Sequence, residues 1–203
     1  MNNHFVIIDA GHGELTPGKR SPDGKLLEWA NNRRVALAVR RALYNAHIKR
    51  VDIIGGSPVD VPLKNRVQYI NIKADEARAR GLEPLCLSLH SNASQNGAWG
   101  SANGVGVLAH PGNKEAVKLA SRLSSAIAVG VANPTSDTPT LKTVVGLADR
   151  GVRPSRWPYI IRKTRCTALI MEIGFHDNRG DVAIMLRPEF PRQVADAIVG
   201  VLQ

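Results

Sequence analysis

The chain of 203 residues has the length of one large domain, and an apolar content of 43% is enough to build a core and excludes global disorder. Its 27 Lys and Arg against 17 Asp and Glu leave a net charge of +10, which favours polyanionic partners such as nucleic acid, anionic wall polymers or acidic membranes. The basic residues are scattered, with no nucleic-acid-binding motif, and no stretch approaches the length of a transmembrane helix.

From the amino terminus, residues 5–8 (FVII) form an uninterrupted, β-branched apolar run that reads as a buried strand. It stops at Asp9, Ala10, Gly11, His12 and Gly13. A histidine between two glycines, just past a buried strand, sits on a tight turn where the backbone can approach a neighbour closely. Open α/β sheets place their ligands at the carboxyl ends of strands. After a polar, Gly/Pro-rich loop, residues 26–46 read as a helix, with Val35, Val39, Ala42, Leu43 and Ala46 on one side and Arg33, Arg34, Arg40 and Arg41 on the other. Glu28 falls in its first turn, where the helix dipole alone explains an acidic residue, at up to about 1 kcal/mol. Residues 50–55 give a second strand and 63–80 a second helix, with Leu63, Val67, Ile70 and Ala74 on one face.

Residues 85–90 (LCLSLH) form a third strand that puts His90 at its carboxyl end. A Gly/Ser/Asn-rich loop at 95–103 leads to a fourth strand at 104–110 and a third helix at 113–131. Residues 133–143 read as an exposed loop, 148–158 as a basic irregular segment, and 159–162 as a short strand. Residues 167–173 (TALIMEI) are the most apolar strand and carry Glu172 near their carboxyl end. Short and terminal helices at 181–186 and 190–202 complete the pattern. Strands alternating with helices predict an α/β fold: a single domain with a twisted, mostly parallel sheet and helices on both faces. The two cysteines, Cys86 and Cys166, form no CxxC pair, which argues against a cysteine zinc site. Two reduced core thiols are expected, and a disulfide only if their strands are neighbours.

Four polar groups share one address in such a sheet. His12 ends the first strand, Glu28 opens the next helix, His90 ends the third strand, and Glu172 lies near the end of the last. Two imidazoles and a carboxylate make a catalytic zinc set with an open position for water, whose pKa falls to about 7 in favourable sites. A further carboxylate beside it can carry the proton. This assigns His12, Glu28 and His90 as ligands and Glu172 as acid/base. A charged, unpaired carboxylate inside an apolar strand costs several kcal/mol, so Glu172 needs a compensating neighbour. Taken singly, each residue also has an ordinary structural explanation: a dipole residue, a strand-end histidine, an arginine partner.

The strings VIIDAGHG, a Glu opening the following helix, LKNRVQYIN, LSLHSNAS and DRGVRPSRWPYIIRKTRCTALIMEIGFHDN, in this order, closely resemble the zinc-dependent N-acetylmuramoyl-L-alanine amidases of the cell-wall amidase type 3 family. The likeness spans residues 5–202, and the histidine turn, HSNAS and EIGF are specific when found together. The resemblance implies a sheet of about six strands. It implies hydrolysis of the amide between the lactyl group of N-acetylmuramic acid and L-alanine of the peptidoglycan stem. It gives one Zn2+ ion, with His12, Glu28 and His90 as ligands and Glu172 as the catalytic carboxylate. Two departures are Ala10, where the family usually has Pro, and His176, commonly apolar and read here as a loop histidine. Regulated members carry a helical insertion that plugs the metal. The interval between His90 and Glu172 reads as one strand, one helix and loops, so an open site, active without an activator, is expected.

No wall-binding repeat is visible, so residues 1–203 are expected to form a stand-alone catalytic domain resembling a phage or prophage endolysin. The amino terminus lacks a signal peptide pattern, which predicts a protein made in the cytoplasm that acts on the cell wall; a monomer is expected. Its charge would substitute for a binding module by attracting anionic wall polymers. Neither nucleic acid binding nor membrane insertion is expected. Arg153, Arg156 and Arg162 are candidates for substrate carboxylates, solvated surface arginines being the simpler account. Two rival readings are a zinc carboxypeptidase acting on wall peptides, with a similar ligand set, and a non-catalytic polyanion-binding module supported by charge alone.

Overall fold

The computed structural model of the chain describes residues 3–48, 51–95, 97–131 and 146–203. In chain order the elements are β1 (His4–Ala10), α1 (Glu28–Asn45), β2 (Val51–Gly55), α2 (Leu63–Ala79), β3 (Glu83–Asn92), β4 (Val105–Ala109), α3 (Lys114–Val131), β5 (Asp149–Pro154), α4 (Tyr159–Lys163), β6 (Thr167–Phe175), α5 (Arg179–Met185) and α6 (Phe190–Leu202). The strands form one sheet in the order β2-β1-β3-β6-β4-β5. The first four of these run parallel; β4 is antiparallel to β6, and β5 is parallel to β4. The expected mostly parallel sheet with helices on both faces is what the chain builds.

Side chains alternate across each strand, and that alternation divides the core in two. Val6, Ile8, Leu85, Leu87, Leu169 and Met171 point to the face covered by α1, α3 and α6. Phe5, Ile7, Cys86 and Ala168 point the other way, onto Val67, Ile70 and Ala74 of α2 and Ile160 of α4. Continuing this second phase towards the carboxyl ends gives Asp9 on β1, Ser88 and His90 on β3, and Glu172 on β6. The phase that fills the smaller core thus turns polar where the site begins.

Residues 149–154, read as irregular, are strand β5 at the sheet edge. An edge strand with one exposed side needs no apolar alternation, and Asp149, Arg150 and Arg153 hid it. Residues 159–162, read as a strand, belong to helix α4, because Pro158 precedes it and burial of Ile160 and Ile161 overrides the β preference of the YII run. The interval from His90 to Glu172 accordingly holds β4, α3, β5 and α4, one strand and one helix more than expected. The loop expected at 133–143 lies outside the described residues, as does the start of the second strand at Arg50. Cys86 and Cys166 are free and pack in the same smaller core, where burial raises both thiol pKa values. Among the described residues no helix is long and apolar enough to cross a membrane.

Candidate active site

The turn after β1 is held open by contacts. His12 has φ 64°, a left-handed conformation that histidine tolerates better than most side chains. Gly11 and Gly13 flank it because neighbours press close. A Cβ on Gly11 would lie 2.2 Å from Cε1 of His90, and one on Gly13 2.4 Å from the backbone nitrogen of Asp60. The turn is tied down by Arg66 of α2, itself 4% exposed. Its Nη1 donates to Asp9 Oδ1 and to the Ala10 carbonyl, both at 2.6 Å; Nη2 donates to the His12 carbonyl at 3.2 Å and Asp60 Oδ1 at 2.9 Å. Ser88 donates to the other oxygen of Asp9 at 2.6 Å.

Glu28, the first residue of α1, is fully buried. Dipole compensation at a wet helix end does not account for that burial. Its Oε1 accepts from the Ser91 backbone N–H at 3.0 Å and lies 3.2 Å from His90 Nδ1 and 3.5 Å from His12 Nε2. The register of β3 on β6 shifts between His90 and Asn92, beside the Ser91 N–H that meets Glu28. Burial opposes ionisation of Glu28, but the hydrogen bond from His90 and the charges of His90 and His12 outweigh it and take its pKa down to about 2. Burial also lowers the pKa of His12, from its usual 6.5 down to about 4. For His90, burial is overcome by the Glu28 carboxylate, and its pKa is raised.

The ligand atoms of His12, Glu28 and His90 all lie within 4.8 Å of one another, and the two rings meet edge to face with centroids 4.9 Å apart. Metal–ligand bonds of about 2.0–2.1 Å in a tetrahedron set ligand atoms about 3.3 Å apart. The 3.2 and 3.5 Å separations around Glu28 fit a metal ion of that size. Oε2 of Glu28 is also buried without a hydrogen-bond partner.

Glu172 is the register neighbour of His90 on β6. Its Oε2 is buried without a hydrogen-bond partner, and burial raises its pKa against the opposing pull of His90. Beside His12 and His90 opens a cleft of about 360 Å³, lined also by Gly11, Asp60, Arg66 and Ile160 among others. All four residues singled out in the sequence therefore gather at one sheet edge.

Sequence reasoning undervalued His176. It is 3% exposed, with Nδ1 3.0 Å from Ser91 Oγ and 3.6 Å from Oε2 of Glu28, so it backs the buried carboxylate. Asp9 and Arg66 were missed, although Asp9 is a carboxylate at the end of an apolar strand and the cost argument used for Glu172 applies to it equally. Of the candidate arginines, Arg162 lies over the Tyr159 ring, while Arg153 and Arg156 are exposed.

Curated protein sequences give no significant match. A solved N-acetylmuramoyl-L-alanine amidase from Clostridium difficile 630 superposes with a TM-score of 0.76 at 22% identity, over 99% of this chain and 95% of that one. The AmiC2 amidase of Nostoc punctiforme gives 0.71 at 25% identity, over 97% and 93%. The catalytic domain of the CD27L endolysin, described as targeting Clostridia difficile, gives 0.68 at 19% identity, over 97% and 95%. The family profile described as N-acetylmuramoyl-L-alanine amidase matches residues 6–203, a span that includes the histidine turn, the helix opened by Glu28, His90 and Glu172. The chain thus belongs to the N-acetylmuramoyl-L-alanine amidase family and is a peptidoglycan hydrolase that cleaves the amide between N-acetylmuramic acid and L-alanine.

Proposed function

We propose that this amidase works with a single zinc ion held by His12, Glu28 and His90, and that Glu172 moves the proton. The observation that carries the proposal is the convergence of two imidazole nitrogens on a buried carboxylate. Bound there, zinc would polarise the scissile carbonyl and acidify the attacking water towards a pKa of about 7. The chain's own residues do the rest. The Ser91 N–H and the facing imidazoles hold Glu28 ionised and oriented. Glu172, in an apolar strand that raises its affinity for a proton, takes the proton of the attacking water. It then delivers that proton to the amine of L-alanine as the amide breaks.

The chain acts as a monomeric catalytic domain at the cell wall, attracted to anionic wall polymers by its charge. An endolysin role is consistent with the similarity of its fold to an endolysin catalytic domain.

Replacing Glu172 by Ala should abolish release of stem peptides from peptidoglycan while one equivalent of zinc is retained. Replacing His12 or His90 by Ala should lose both. Mass spectrometry of the digest should show free stems with intact L-alanine; shortened stems would identify a carboxypeptidase instead. An active Glu172→Ala protein would overturn the scheme.

A further inference from the structure

Among the described residues, helices cover only half of the sheet face that carries His90 and Glu172. Helices α2 and α4 pack on β1, β2, β3 and β6 there, and no described helix lies over β4 and β5 on that side; α3 covers those strands on the opposite face. The uncovered strip begins beside Glu172. Gly106 of β4 pairs directly with Glu172, and Leu108 with Ile170, so these residues share one face. Leu108 pairs in turn with Arg153 of β5.

Gly106 supplies no side chain between the two strands, and Arg153 uses the gap. A Cβ on Gly106 would lie 3.7 Å from Cδ of Arg153, so the arginine stem runs back over the glycine towards Glu172. Arg153 is exposed and makes no hydrogen bond or ion pair with a described residue. Its neighbour Arg150 is engaged, with Nη1 donating to the Asn103 carbonyl at 3.2 Å and the guanidinium over the Phe175 ring. A guanidinium with no hydrogen-bond or ion-pair partner among the described residues, its stem lying over Gly106 on the face that carries the proton-transfer carboxylate, is placed to meet a substrate anion.

We propose that Arg153 is a specificity residue that binds the carboxylate of the stem-peptide residue following L-alanine; this rests on the reading of Glu172 given above. The spacing supports that choice. Strand β5 lies two strands from β6, about 9.6 Å away, and the arginine leans back across half of it. An extended peptide advances about 3.3–3.6 Å per residue, so a carboxylate one residue beyond the cleaved amide falls within reach. The planar fork of arginine matches a carboxylate with two parallel hydrogen bonds.

The test uses two soluble muramyl peptides, identical except that the residue after L-alanine carries a free α-carboxylate in one and a carboxamide in the other. Wild type should prefer the carboxylate, through KM. Arg153→Ala should raise KM for the carboxylate peptide about tenfold or more, with kcat and zinc content unchanged, and leave the carboxamide peptide unaffected. Arg153→Glu should reverse the preference. Equal KM values for both peptides in wild type, or a preference that survives Arg153→Ala, would overturn the proposal and leave the roles of the ligands and Glu172 standing. Cleavage of both peptides by Glu172→Ala would instead remove the reading on which it rests.

Discussion

His12 contributes to the pH response of the metal-free protein, and His176, whose pKa burial also lowers, acts with the same sign. Its pKa falls from 6.5 in the unfolded chain to about 4 in the fold, so the unfolded state binds more protons between those values. Stability of the apoprotein should fall as pH drops from 6.5 to 4, by on the order of 2 kcal/mol, and the loss should shrink in His12→Asn, which keeps a residue tolerant of the left-handed turn. His90, whose pKa is raised, has the opposite sign: its contribution is present below 6.5 and is lost as pH rises through the higher folded value. Urea titrations of wild type and His12→Asn between pH 4 and 6.5 measure the first, and titrations of wild type and His90→Asn above pH 6.5 measure the second. His176 acts on the same centre from behind. Replacing it by Leu should weaken zinc binding about tenfold or more, read by competition with a chelator. His12, His90 and Glu172 were legible as residues because chemistry-bearing side chains at strand ends are conspicuous. His176 was not, because a histidine after EIGF carries no sign that the register shift at His90 and Asn92 leaves it beside Ser91 and Glu28.

At the level of elements, α2 matters through Arg66. Its ion pair with Asp9 is buried on both sides and fastens the helix to the end of β1, so the helix sets the height of the His12 turn. Arg66→Ala should cost about 3–5 kcal/mol, since it strands a buried carboxylate. Adding Asp9→Asn should recover part of that loss, and chemical denaturation of the single and double variants gives the coupling. The sequence showed α2 as an amphipathic helix and β1 as a buried strand, but a contact between residues far apart in the chain leaves no local pattern. The two misread elements failed for the same kind of reason. Strand β5 obeys solvent on one side, and the five residues of α4 take their form from Pro158 and from the packing of Ile160 and Ile161.

For the whole molecule, the charge of +10 should make attack on intact walls sensitive to salt, because exposed charges are screened over about 10 Å at 0.1 M. Clearing of wall suspensions should drop severalfold between low and moderate salt, whereas cleavage of a small soluble muramyl peptide should change far less. A flat profile with walls would remove charge as the docking force. The order of the strands carries one more consequence. Strand β6 lies between β3 and β4, yet it is the last strand in the chain. During synthesis the slot for it stands empty until all five other strands have emerged, and only its arrival brings Glu172 beside His90. Docking of β6 therefore both closes the gap in the sheet and completes the site, so a folding intermediate that lacks it would hold His12 and His90 without Glu172.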